Sequence, residues 1–312
     1  MKNKTKLPLC LIACLIAVFS LLSCSAPKEE APPAKQLNIT VLIDLSDRVS
    51  PQINPANPSH FKRDLEIIKH IAEIFVKDME GKTDGTGGGF AAKGKIKAIF
   101  TPMPEDENIN EIVKTLNIDL SKITGLKRIA AEKKKIHDTL PDIFTENLEN
   151  IYSQTISQKK WIGADIWRFF KNDVSDFCIE KSTSPAYRNI LIILTDGYIY
   201  HKDSIYRDKN RYSYLLPSLI ENYHLRNTSD IENAVKKADF GLLSVRRDLQ
   251  DLEILVLEVE PSASHKNDED IIKIVLSKWF EEMGVSKEKY KIYNSEVPEM
   301  TKTRIDRFIN EK

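Results

Sequence analysis

The chain has 312 residues, with 46 basic and 46 acidic side chains, 41% hydrophobic residues and four cysteines. That length suits one domain with a large buried core, carrying insertions or a small appendage. A formal net charge of zero argues against nucleic-acid binding, which needs an excess of Lys and Arg to displace counterions from phosphates.

At the N-terminus, Lys2, Lys4 and Lys6 precede the apolar run Leu7 to Leu22. The run is too short to span a membrane comfortably, and residues 1–23 read as a signal peptide. It ends at Leu21-Leu22-Ser23-Cys24, which resembles a bacterial lipobox. The resemblance implies cleavage before Cys24, lipidation of that cysteine, and a protein anchored in the cell envelope, at the outer membrane. Residues 24–36 hold Pro27, Pro32 and Pro33 among Lys28, Glu29 and Glu30, too polar and proline-rich to pack, and read as a tether. The Lys-Glu-Glu run is similar to the acidic export tag of surface lipoproteins in Bacteroidota. Cys10 and Cys14 leave with the signal and Cys24 is consumed by lipid, so Cys178 alone remains free and no intramolecular disulfide can form. The fold must therefore be held by its core. Cleavage removes three lysines and no acid, leaving 43 basic against 46 acidic side chains.

Leu37 to Leu45 is a dense β-branched apolar run, expected as a buried strand ending at Asp44. From Ser59 to Met79, Phe61, Leu65, Ile68, Ala72, Phe75 and Met79 alternate at spacings of four and three, the stripe of an amphipathic helix with Ser59 placed to cap it. Glycine-rich residues 81–94 lead into a second strand, Lys95 to Thr101, stopped by Pro102 and Pro104. Residues 105–158 read as a charged helical insertion, with Lys133-Lys134-Lys135 as a solvated helix face. Asn189 to Thr195 and Leu252 to Val259 read as strands, Lys289 to Tyr293 as a short one, and Asp268 to Met283 and Val297 to Ile309 as helices. Strands alternating with helices predict an α/β domain over 37–312 with a doubly wound, mostly parallel sheet, whose ligands bind where strand carboxyl ends meet their loops.

Two aspartates fall at that place: Asp44 after the first strand and Asp196 after the apolar run 189–195. The segments Val41-Leu42-Ile43-Asp44-Leu45-Ser46 and Ile190-Leu191-Ile192-Ile193-Leu194-Thr195-Asp196-Gly197 resemble the first and third metal-site loops of von Willebrand factor type A domains. Gly163-Ala164-Asp165-Ile166, opening an apolar-periodic stretch, resembles the second. The resemblance spans residues 37 to 295, but only these three segments carry it. It implies a metal-ion-dependent adhesion site built from Asp44, Ser46, Asp165 and Asp196, holding Mg2+ or Mn2+. It also implies a protein partner whose acidic side chain completes the coordination shell.

Two positions depart from the family's pattern. Asp165 stands where threonine is usual, giving a charged oxygen in place of a neutral one. Arg48 stands where the second serine is usual, removing a hydroxyl and adding a permanent positive charge. Three converging carboxylates would repel by about 4 kcal/mol per pair at ~4 Å and an effective dielectric of ~20, more than one arginine offsets. The expectation is therefore a divalent cation, with Arg48 turned aside toward Asp47 or Asp165. The competing reading is a degenerate site in which Arg48 itself clamps an acidic group of the partner.

Six of the ten tyrosines lie between Tyr198 and Tyr223. Tyr198 and Tyr200 are candidates for a recognition surface, and a ribbon packed on the domain is the alternative. His60 and His201 near this rim are expected to be solvated. Gly89-x-x-x-x-Gly94-Lys95 lacks the Ser or Thr of a phosphate-binding P-loop and precedes a strand where a helix is needed. No zinc-protease, serine-hydrolase or paired-cysteine signature occurs. A metal-dependent phosphoesterase built on Asp44, Asp47, Asp165 and Asp196, or a structural envelope lipoprotein with a vestigial site, remain as alternatives to a binding protein.

Overall fold

The computed structural model describes residues 34–82, 91–161, 163–261, 265 and 267–310. The expected signal peptide, the expected anchor Cys24, most of the expected tether and most of the glycine-rich segment lie outside the described residues. Residues from Lys35 onward form one compact unit, and no helix among the described residues is long and apolar enough to cross a membrane.

The chain opens with β1 (Gln36–Ile43), all of whose residues are buried, as a strand covered on both faces must be. After the loop that carries Asp44 come α1 (His60–Gly81) and β2 (Lys95–Phe100). Then follow α2 (Glu107–Thr115), β3 (Asn117–Asp119) and α3 (Lys134–Gln158). Two short helices, α4 (Ile166–Asn172) and α5 (Val174–Cys178), lead to β4 (Tyr187–Leu194). A small three-stranded sheet is formed by β5 (Arg207–Asp208), β6 (Arg211–Tyr212) and β7 (Gly241–Leu242), with α6 (Pro217–Asn222) and α7 (Ile231–Lys237) between the last two. The chain closes with β8 (Leu252–Val259), α8 (Asp268–Glu282), β9 (Tyr290–Asn294) and α9 (Pro298–Asn310).

The main sheet has the order β3-β2-β1-β4-β8-β9. All its pairings are parallel except β2 with β3, so the expected α/β class with a mostly parallel sheet is what forms. From β1 the chain builds outward to β2 and β3 on one side, then returns to place β4 on the other. The β1/β4 boundary is thus the topological switch point, where a crevice opens at the strand carboxyl ends.

Alternating side chains divide the core in two. Ile39, Val41 and Ile43 of β1 and Ile190, Ile192 and Leu194 of β4 pack on one face with α1, α3 and α9. Leu42, Leu191 and Ile193 point to the other face, against α4 and α8. At roughly 1.5–3 kcal/mol per fully buried large apolar side chain, these two layers supply the main driving force.

Some boundaries differ from expectation for identifiable reasons. Helix α1 buries Ile67, Ile71 and Ile74 besides the expected stripe, because α3 and α9 as well as the sheet pack against it. Ser59 occupies the N-cap position, but its hydroxyl makes no capping bond. Residues 105–158 are helical but not a mere insertion. They contribute edge strand β3, and α3 buries Leu140, Phe144, Leu148 and Ile151 in the core. Gly94 is where a side chain cannot fit, since a Cβ would lie 2.9 Å from the Phe75 ring and 3.1 Å from the Leu37 carbonyl oxygen.

Candidate functional site

Strand pairing places the two aspartates across the switch point. Ile43 is the β1 partner of Leu194, and the Asp44 amide donates to the Leu194 carbonyl at 3.1 Å. Asp44 is buried. Its Oδ1 accepts the Ser46 amide at 2.7 Å and its Oδ2 accepts the Thr195 hydroxyl at 3.0 Å. The same hydroxyl accepts the Gly197 amide at 3.2 Å, so Thr195 ties the two loops together. Asp196 is half-buried, and its Oδ1 accepts the Tyr198 amide at 2.9 Å.

Burial raises the carboxyl of Asp44, against the opposing pull of Arg48 and the Ser46 and Thr195 hydrogen bonds. Asp196 is pushed up to about 7, by burial first and then by repulsion from Asp44 and Asp47. A carboxyl held near neutrality beside a second carboxyl is short of positive charge, and either a proton or a cation satisfies it.

Arg48 does not supply that charge at the surface. It is buried and donates from Nη2 to Asp64 Oδ2 at 2.6 Å, with Nε 4.0 Å from Asp44. Asp64, fully buried on α1, also accepts the Tyr152 hydroxyl of α3 at 2.7 Å. Arg48 therefore pairs with neither Asp47 nor Asp165, and its burial keeps the guanidinium away from an acidic group of a partner. Nearby ion pairs favour the charged form and hold its pKa above the ordinary arginine value, although burial alone would lower it.

Asp165 is placed beside the site but otherwise engaged. Its loop joins the first through the Leu45–Gly163 bridge. Its Oδ1 caps α4 by accepting the Arg168 amide at 3.1 Å. Its Oδ2 accepts the Ser204 hydroxyl, and His201 Nδ1 lies 3.5 Å from the same oxygen. Both oxygens are thus committed within the fold. Among the described residues, no group of three or more His, Cys, Asp and Glu gathers closely enough to hold a metal. Asp44, Ser46 and Asp196 do fit the smaller donor set that Mg2+ accepts, one or two carboxylates with water completing the shell.

The tyrosines divide between the two expectations. Tyr198 is half-buried and its hydroxyl donates to Asp268 Oδ2 at 2.9 Å, where Arg226 also binds Asp268 at 2.7 Å. It is a strut between the Asp196 loop and α8. Tyr212, Tyr214 and Tyr223 pack among themselves and on Phe240. Tyr200 and Tyr206 stay exposed, at 44% and 50%. The expected solvation of the two histidines does not occur. His201 lies against Asp165, and buried His60 has its Nδ1 3.8 Å from Glu260.

Glu258 is a further residue of this end of the sheet that the sequence reading passed over. It lies within β8 at a positive φ of 67°, which a non-glycine residue seldom adopts. Its carboxylate is 2.9 Å from Arg63 Nε, and burial pushes it up to about 7 against the pull of that arginine. Its signal was a glutamate inside the apolar run LEILVLEV.

Comparison of the chain with protein-family models, with curated proteins and with solved structures gives no match.

Proposed function

We propose that this is a lipid-anchored envelope lipoprotein whose domain, similar to a von Willebrand factor type A domain, binds a protein partner at the carboxyl end of its sheet. One observation carries the proposal. Asp44 and Asp196 leave neighbouring strands at the switch point, Asp196 is raised to about 7 in part by Asp44, and the arginine beside them is already bonded to Asp64. A divalent cation, Mg2+ or Mn2+, held by Asp44, Ser46 and Asp196 would relieve that repulsion and offer its open positions to an acidic side chain of the partner. The surroundings suit a protein ligand. Ile53, Met103, Tyr200, Ile205 and Tyr206 are exposed apolar side chains on the loops that follow β1, β2 and β4.

The test is a calorimetric titration of Mg2+, then Mn2+, into residues 35–312, with Asp196→Ala as the comparison. Saturable binding that the variant loses supports the cation site and justifies a search for acidic partners. Heat that is absent, or unchanged in the variant, rejects the cation and leaves Asp196 as a proton site.

A further inference from the structure

The basic run that reads as a solvated helix face has a second property once it is folded. Between Lys122 and Lys135 there are six basic residues and one acidic residue, Glu132. Both ends of this stretch are fastened at the start of β2. The Leu120 amide donates to the Gly94 carbonyl at 3.0 Å, and the Lys133 ammonium donates to the Ala92 carbonyl. Asp119 pairs with Lys95 and Asn38 with Lys95, which sets these attachments at the end of the sheet where β1 and β2 begin. Lys35, through which the domain joins its N-terminal segment, immediately precedes β1 and so lies at that end too.

Leu126 projects from the middle of the stretch, 88% exposed, beyond any other large apolar side chain of the described residues. Gly125, at φ +87°, turns the chain there. Lys127 and Arg128 follow it directly and Lys134 and Lys135 come about two helical turns further along, all four exposed. Arg128 and Lys134 are paired with Glu132 and Asp138, whereas among the described residues no carboxylate lies within ion-pair distance of Lys127 or Lys135. An exposed apolar side chain at the head of a helical run of exposed cations, some without counter-charge, matches a surface that is anionic outside and apolar just beneath.

We infer that the edge formed by residues 122–135 docks on anionic phospholipid headgroups, with Leu126 entering the interface. The inference rests on the reading of Cys24 as a lipid anchor. From Cys24 to Lys35 is eleven residues, a reach of at most about 40 Å when fully extended. That is shorter than the ~50 Å diameter expected for a domain of this size. The anchor therefore keeps this end of the sheet within reach of the bilayer, and docking leaves the Asp44–Asp196 end free for a partner.

The experiment is co-sedimentation of residues 35–312, which carry the whole sheet and both core layers but no anchor, with two kinds of vesicle. One is phosphatidylcholine alone and the other contains phosphatidylglycerol. Lys127→Glu with Lys135→Glu is compared with Lys236→Glu and Lys237→Glu on α7, an equal charge change elsewhere on the surface. Expected are binding to the phosphatidylglycerol vesicles that weakens with salt, a loss of about fivefold for each basic residue removed at the docking edge, and roughly tenfold for Leu126→Ser. The α7 pair should change it little. No preference for the anionic vesicles, or equal loss from both lysine pairs, overturns the inference. Palmitate incorporation, compared between the native chain and Cys24→Ala, tests the anchor separately, since the vesicle assay contains none.

Discussion

At Asp196 the folded chain holds a proton that the unfolded chain would release. Its carboxyl stands at about 7 in the fold against 3.8 for a free aspartate. Between those values stability falls as pH rises, because the unfolded state ionises freely while the folded state cannot. Asp196→Asn should remove this loss, so in a chelator the variant should melt above the native protein at about pH 8, with the difference vanishing below about pH 4. Thermal melts across that range check it, and added Mg2+ should restore the native protein alone if the cation site is real. Arg48 predicts the opposite kind of change. Replacing it by serine strands the buried Asp64 carboxylate, and removal of one partner of a buried pair typically costs about 3–5 kcal/mol. Arg48→Ser combined with Asp64→Asn should recover most of that in urea titrations. Asp44 and Asp196 were legible in the sequence because each ends an apolar strand, and strand ends are local patterns. Asp64, Tyr152 and Glu258 were not. Each is polar in a segment whose periodicity reports only the core, and their partners are distant in sequence, as Tyr152 is from Asp64.

At the level of elements, the Asp196 loop is held by what α8 permits. Gly197 adopts φ +95°, and a Cβ there would stand 2.7 Å from Ile272 Cγ2 of α8 and 3.2 Å from Val259 Cγ1 of β8. Gly197→Ala should therefore combine backbone strain with overpacking and destabilise the domain by about 2 kcal/mol or more. It should also weaken any cation binding, since the Asp196 loop cannot keep its place without moving α8. A denaturation curve together with the Mg2+ titration separates the two effects. The strands and long helices were readable because burial on two faces leaves an apolar run and burial on one leaves a stripe. What periodicity did not reveal was partnership. Residues 105–158 look charged and dispensable, yet α3 lies along α1 and fully buries Phe144 and Leu148 between them. The heavy charge on its outer side masks that narrow inner stripe.

Over the whole molecule, one sheet serves both core layers, and this should make the domain a single cooperative unit. Each central strand sends alternate side chains to opposite faces, so Ile192 of β4 belongs to the layer under α1 and α3 while Ile193 belongs to the layer under α4 and α8. Neither layer can dissolve without removing one face from every central strand, and an uncovered parallel sheet is not a stable intermediate. The tryptophans allow this to be tested. Trp167 and Trp279 lie in the second layer and Trp161 packs on the first, so in a Trp161→Phe background fluorescence reports the second layer alone. Phe144→Ala, on the opposite side of the sheet, should cost about 3–5 kcal/mol. If the sheet couples the layers, that cavity should move the midpoint seen by Trp167 and Trp279 as far as the midpoint seen by far-ultraviolet circular dichroism. A fluorescence midpoint that stays in place while the dichroism shifts would mean that the layers melt separately. In that case the Asp196 loop, braced by α8, would keep its place after loss of the α1 and α3 layer, while the Asp44 loop, tied to α1 through Arg48 and Asp64, would not.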